Sequence, residues 1–160
     1  MEPSAPAGKP IPRFLADAML GRLATWLRIL GYDTEYSREE DGVLVRRARE
    51  EGRILLTRDT GLLRRADLPA HLFVRSDRVR AQLREVLAAL GLNLMPDGPR
   101  RCVRCNRLLQ PRDKVDVAGR VPDFIWSQHS AFWGCPVCGR IYWAGSHRRH
   151  MDDAIHALMR

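Results

Sequence analysis

The sequence predicts an α/β fold in which helices cover a parallel sheet, followed by a small cysteine-rich unit. Three observations carry the prediction. Short apolar runs alternate with segments of helical periodicity from residue 13 to residue 92, a Pro- and Gly-containing stretch interrupts the pattern at 93–99, and four cysteines then fall in two close pairs. With 160 residues, 45% of them apolar, the chain has room for one compact domain of about 100 residues and an appendage.

Residues 1–12 (MEPSAPAGKPIP) lack apolar periodicity and read as a flexible leader. Phe14-Leu15-Ala16 reads as a first strand. Leu20, Leu23, Ala24, Leu27 and Leu30 then recur at helical spacing up to Gly31, a helix stop. An extended stretch near Tyr32–Tyr36 leads to a second helix over Asp41–Glu51, closed by Gly52, and to the strand Arg53–Thr57. His71–Val74 reads as a further strand, and Val79, Leu83, Val86, Leu87 and Leu90 line one face of a helix ended by Gly91. Strands alternating with helices of this length imply crossover connections and a parallel sheet. The organisation expected is a leader at 1–12, an α/β domain at 13–92, a linker at 93–99 (NLMPDGP), and the cysteine unit with a C-terminal helix at 100–160.

Of the 27 basic residues all but Lys9 and Lys114 are arginine, against 19 acidic ones, and the resulting net charge of +8 is densest from residue 101 onward. Such an excess favours acidic partners such as nucleic acid, although arginine-biased codon usage accounts for the composition equally well. No apolar run approaches the ~18 residues needed to span a bilayer, and Met1–Pro12 has no signal-peptide pattern, so the expectation is a cytoplasmic protein without a membrane partner.

Cys102-Val103-Arg104-Cys105 and Cys135-Pro136-Val137-Cys138 are two C-x-x-C pairs with 29 residues between them. Each such turn presents two thiolates to one ion while its amides stabilise the sulfur charge, and two of them complete the tetrahedral shell that zinc prefers. The expectation is one structural zinc, with a redox pair or iron as alternatives. Arg104, Arg107 and Arg112, with Trp126, Phe132, Trp133, Tyr142 and Trp143, suit a surface for single-stranded RNA. The competing expectation is that these aromatics pack against the first domain, because a metal-held unit has little core of its own. His147, His150 and His156 follow a complete ligand set and are expected on the final helix or against phosphate.

Ligands of open α/β sheets bind beyond the carboxyl ends of the strands, which directs attention to acids just after strands. Asp17 follows Phe14-Leu15-Ala16, Asp59 follows the strand ending at Thr57, Asp77 lies beyond His71–Val74, and Asp41 opens the second helix. Converging carboxylates repel one another unless a divalent cation neutralises them, so such a set implies Mg²⁺ or Mn²⁺ and suits phosphodiester hydrolysis. Each acid has a structural alternative: Asp41 and Asp77 as helix caps, Asp59 as a turn former. Glu39 and Glu40 compete with Asp41 for the second position.

Several runs also carry a resemblance. They are Phe14–Ala24 (FLADAMLGRLA), Trp26–Asp33 (WLRILGYD), Gly52–Asp59 (GRILLTRD), Arg75-Ser76-Asp77 with Gln82-Leu83, Cys102-x-x-Cys105-Asn106, Cys135-Pro-x-Cys138-Gly139, and Tyr142-Trp143-x-Gly145-Ser146-His147. In this order they resemble the PIN-like ribonuclease family of the mut-seven C-terminal (Mut7-C) type, over Arg13 to about Met151. The resemblance implies a PIN-like sheet with a C-terminal zinc ribbon and a Mg²⁺- or Mn²⁺-dependent ribonuclease, with Asp17, Asp41, Asp59 and Asp77 as the acidic set. Arg22, Arg28, Arg58, Arg104, Arg107, Trp143 and His147 become candidate RNA contacts, with Arg28 equally suited to a structural ion pair. The chain is shorter than larger PIN domains, with no fifth strand after Gly91; either the ribbon covers that sheet edge or the fold is trimmed. Left open are the identity of the RNA or a DNA substrate, internal against terminal cutting, an antitoxin-like or ribosomal partner, and two other classes: a non-catalytic RNA- or ribosome-associated binding module, and a protein-interaction adaptor.

Overall fold

The computed structural model describes residues 10–92 and 101–143. Leader residues 1–9, the linker at 93–99, and His147, His150 and His156 with the expected C-terminal helix lie outside the described residues.

Four short strands, β1 (Phe14–Ala16), β2 (Thr34–Tyr36), β3 (Ile54–Thr57) and β4 (His71–Phe73), form a parallel sheet in the order β2-β1-β3-β4. Helices α1 (Gly21–Ile29), α2 (Asp41–Glu51), α3 (Thr60–Leu63) and α4 (Val79–Leu90) complete an α/β fold of the expected kind, α3 being a single turn that the sequence pattern does not announce. Successive strand residues face opposite sides. Phe14, Ala16 and Leu56 accordingly pack with Leu23 and Leu27 of α1 and Leu83 and Val86 of α4, while Leu15 and Leu55 pack with Leu44, Val45 and Ala48 of α2 and Leu62 of α3. Burial on both faces explains why β1 and β3 read as unbroken apolar runs.

Behind this sheet, β5 (Gln110–Arg112), β6 (Phe132–Gly134) and β7 (Ile141–Trp143) form an antiparallel sheet, with two short helices, α5 (Lys114–Val117) and α6 (Asp123–Gln128), inserted between β5 and β6. Its aromatics fill two small cores of the ribbon itself. Phe132 stands opposite Trp143 and packs with Val117, Val121 and Trp126, whereas Trp133 stands opposite Tyr142 on the side of Cys102 and Cys135. The expectation that these rings pack on the first domain is not met, because α5 and α6 supply the apolar surface a bare ribbon would lack. Trp126 is fixed further by its Nε1–H donating to Lys114 O at 2.8 Å and by the Lys114 ammonium 4.5 Å from its ring centroid.

The ribbon meets the sheet at the outer edge of β2. Asn106 lies directly after the first cysteine pair with φ 62°, a left-handed conformation that asparagine tolerates better than most residues. Its Oδ1 accepts from Thr34 N–H at 2.9 Å, and its Nδ2 donates to Asp33 Oδ1 at 2.8 Å and Glu35 Oε1 at 3.2 Å. Arg28 of α1 clamps the same joint, donating from Nε to Thr34 O at 2.7 Å and from Nη1 to Val103 O at 3.0 Å. Both polar groups of the edge residue Thr34 are thereby satisfied without another strand, so the ribbon covers this edge.

Asp33 anchors the joint. Burial alone would push its carboxyl up, but hydrogen bonds from Arg53 and Asn106 and the charges of Arg53 and Arg101 outweigh that and hold it at about 2, below its ordinary 3.8. A depressed folded value stabilises the fold above the ordinary pKa and loses that stability as pH falls toward about 2. Asp33→Asn is therefore expected to flatten the loss of stability between pH 4 and pH 2 in acid titrations followed by circular dichroism. Asn106→Ala should lower the unfolding free energy by about 3 kcal/mol, since it strands the buried Thr34 amide and removes three bonds. Asn106→Gly, which carries no left-handed penalty, should cost somewhat less in the same denaturation experiment.

Candidate functional site

The two cysteine pairs are built alike. Cys102 N–H donates to Arg107 O at 2.8 Å and Asn106 N–H to Cys102 O at 2.9 Å; in the second pair Cys135 N–H donates to Arg140 O at 3.0 Å and Gly139 N–H to Cys135 O at 3.0 Å. Asn106 and Gly139 hold the same left-handed position after each pair, which closes each turn around its sulfurs. The four Sγ atoms lie within 4.8 Å of one another, and Cys102 and Cys138 are 3.7 Å apart. A tetrahedron with Zn–S bonds of ~2.3 Å has edges of about 3.8 Å, so the cage fits one such ion. All four cysteines are free thiols, which excludes a disulfide in this arrangement.

Electrostatics point the same way. Burial pushes the Cys102 thiol up, but the Tyr142 hydroxyl, donating to Sγ at 3.2 Å, and the amides of Cys105 and Arg104 pull it down to about 7. Burial and the neighbouring sulfurs push Cys105 up to about 12. Four thiolates cannot coexist there without a compensating cation, which bound zinc supplies.

At the other end of the α/β sheet, Asp17 leaves β1 and caps a single 3₁₀ turn at Ala18–Leu20. Asp17 is 7% exposed, and the hydroxyl of the wholly buried Thr57 donates to its Oδ2 at 2.6 Å. The same hydroxyl accepts from Asp59 N–H at 2.9 Å, so one threonine ties the ends of β1 and β3 together. Asp59 caps α3, accepting from Gly61 N–H at 2.8 Å. Asp41 lies half-buried in the first turn of α2, where its charge adds to that of Asp67 in raising the pKa of Arg65. Asp77 is exposed in the loop after β4 and lines a cleft with Arg22.

Asp41, Asp17, Asp59 and Asp77 thus follow β2, β1, β3 and β4 in strand order, with Asp17 and Asp59 just beyond the two central strands. From β1 the chain proceeds to β2 on one side and from β3 to β4 on the other, so the two acids flank the point where α/β sheets bind ligands. Among the described residues no ion pair reaches any of the four; the pairs go to Asp33, Glu35, Glu39, Glu51 and Asp67 instead. A buried carboxylate without counter-charge, as at Asp17, suits a hard cation with oxygen ligands. Glu39 is engaged by Ser37 Oγ at 2.8 Å and Arg47 at 3.6 Å, which leaves Glu40 and Asp41 at the start of α2 without an ion pair among the described residues. The only described group of three or more potential ligands converging within 4.8 Å is the cysteine set.

The arginines divide. Arg28 is committed to carbonyls of the joint, not to an acid, and Arg58 bridges to Arg75 O at 3.3 Å with its buried Nε lacking a partner. Arg104 and Arg107 are exposed, while Trp143 packs in the ribbon core. Sequence reasoning missed Thr57, whose position two residues before Asp59 was the available signal, and Glu85, whose oxygens accept from Arg75 and Ser76 N–H at 2.8 Å each and hold the loop that carries Asp77.

The profile of the Mut7-C RNAse domain matches residues 12–155, nearly the whole chain. The chain belongs to the Mut7-C RNAse domain family. No curated protein and no solved structure matches it significantly. In this Mut7-C chain the paired cysteines, Asn106 and Tyr142 form one unit in which the sulfur cage and the sheet edge share a turn. Tyr142→Phe should weaken zinc retention by about tenfold, read as release to a colorimetric chelator, because partners of metal ligands typically carry that much affinity.

Proposed function

We propose that the chain is a ribonuclease dependent on Mg²⁺ or Mn²⁺, working at the carboxyl ends of β1 and β3. The observation that carries this reading is Asp17: a buried carboxylate with no counter-charge, linked through Thr57 to Asp59. Asp17 and Asp59 would hold the divalent cation, with Asp41 and Asp77 completing the acidic row. Such a cation, when bound, lowers the pKa of a coordinated water and offsets charge on the phosphate.

The chain's own residues supply geometry. Thr57 fixes one oxygen of Asp17, and among the described residues Oδ1 has one long contact, Met19 N–H at 3.4 Å, which leaves it lone pairs for a cation. Gly61 N–H orients Asp59, and Glu85 and Gln82 hold the loop of Asp77. Arg22 lines the same cleft as Asp77 and would meet substrate phosphate. The zinc takes no part in the reaction, since four sulfurs fill its shell; the ribbon would dock RNA near Arg104. Cysteines gathered as a metal cage and not paired as disulfides support action in a reducing compartment such as the cytoplasm. A second reading, a non-catalytic RNA-binding module, is favoured by the acids' failure to converge as the sulfurs do.

End-labelled RNA incubated with Mn²⁺ or Mg²⁺ decides between them, with metal-free buffer as control in place of a chelator that would strip the ribbon. Fragments are expected only with added metal. Asp17→Asn and Asp59→Asn should each reduce cleavage more than ~100-fold with unchanged circular dichroism, and Thr57→Val about tenfold, as for a partner that orients a ligand. Intact RNA in every lane, with binding retained, would establish the second reading.

A further inference from the structure

Two clefts share a neck. One, of about 770 Å³, lies between the starts of α1 and α4; the other, of about 440 Å³, lies between α1 and the first cysteine turn. Gly21 and Tyr36 line both, so the clefts adjoin at this pair along α1. Together they run from Val103 and Arg104 of the ribbon to Asp77 and to Ala18, the neighbour of Asp17.

The groove's charge is one-sided. Arg22, Arg78, Arg80 and Arg84 line the first cleft, where Asp77 is the one acid, and Arg28, Arg104 and Arg140 line the second, which has none. Outside it Arg13, Arg47, Arg53 and Arg65 are ion-paired, while others such as Arg46 and Arg64 have no ion pair among the described residues on the α2 and α3 side, so what marks the groove is the number of arginines gathered along one depression. Arg22, Arg80 and Arg104 have no such partner among the described residues. Like charges left side by side along a groove repel, and a polyanion lying in it relieves that repulsion.

The neck explains a glycine. Gly21 has ordinary helical geometry, φ −60° and ψ −40°, so its backbone does not need glycine. A Cβ there would already meet the Tyr36 ring at 3.4 Å, and a longer side chain would displace that ring or project into the junction of the two clefts. Tyr36 is itself fixed, its hydroxyl donating to Ala18 O at 2.8 Å and accepting from Arg38 Nε at 3.1 Å.

We propose that this groove is the track for the backbone of single-stranded RNA, threading it from the ribbon past Tyr36 to the strand-end acids. The proposal rests on the ribonuclease reading but is tested apart from turnover, by binding. A fluorescein-labelled 12-nucleotide RNA is titrated by anisotropy in divalent-free buffer without chelator. The double variant Arg22→Gln, Arg104→Gln, one change in each cleft, should bind about 25-fold more weakly at 0.1 M salt and lower the slope of log K against log salt by about 1.4, the loss of two single-strand phosphate contacts. Gly21→Leu, which plugs the neck without altering charge, should also weaken binding at least tenfold, with its melting profile confirming the fold. Arg46→Gln, Arg64→Gln, an equal charge change on the α2 and α3 side, should bind as the parent does.

Equal losses in the groove and control doubles, or parental binding by Gly21→Leu, would overturn the track. So would a polyglutamate peptide that competes as strongly as RNA for the groove. A chain that loses RNA affinity in the groove variants yet never cuts RNA removes the nuclease reading and leaves the track intact; normal cutting by the plugged and double variants does the reverse.

Discussion

The carboxylate of Asp33 is the interaction on which the rest of the structure depends. It accepts from Arg13 at 3.2 Å, from Arg53 at 2.7 Å and from Asn106 at 2.8 Å, with Arg101 at 3.8 Å. These partners lie just before β1, just before β3 and in the first cysteine turn, and Asp33 itself lies just before β2. One half-buried charge therefore gathers the amino ends of three strands and the ribbon. Removing any single partner would leave a half-buried charge less well compensated, which is why such nodes are costly to break.

Charge pairing is polarised along the sheet. At the amino ends acids and arginines are matched within hydrogen-bond distance, as at Asp33 and at Glu51 with Arg53 at 2.6 Å. At the carboxyl ends Asp17 and Asp59 share a threonine instead of a cation, and Asp77 faces arginines across an open cleft. A paired end gives a rigid base, and an unpaired end keeps electrostatic potential available for a ligand. Thr57 mediates between the two demands: its methyl and backbone belong to the buried strand, and its hydroxyl alone reaches the acids.

Much of this was legible in the sequence because the signals were local. The apolar period and the stops at Gly31, Gly52 and Gly91 place α1, α2 and α4 to within a residue or two, and unbroken apolar runs mark β1 and β3 as doubly covered strands. The cysteine cage followed from spacing, since two C-x-x-C turns can meet around one ion. What escaped depends on contacts between distant segments. Nothing near Asn106 in the chain announces a bond to Thr34, and nothing about Arg28 distinguishes a carbonyl clamp from a phosphate ligand until the ribbon is seen beside α1. The helices α5 and α6 are only four and six residues long, too short for periodicity to register, yet they decide that the tryptophans form a core.

Asn106 is the residue after the fourth position of a metal-binding turn and also the sole cover of an edge-strand amide. These two roles tie the ion to solubility. Without an ion the first cysteine turn would rest only on its bonds to Thr34, Asp33 and Glu35 and on the Arg28 clamp, and any loosening there would open the β2 edge to strand addition between molecules. Through Asn106, closure of the cysteine cage and cover of the β2 edge are thus mechanically one arrangement.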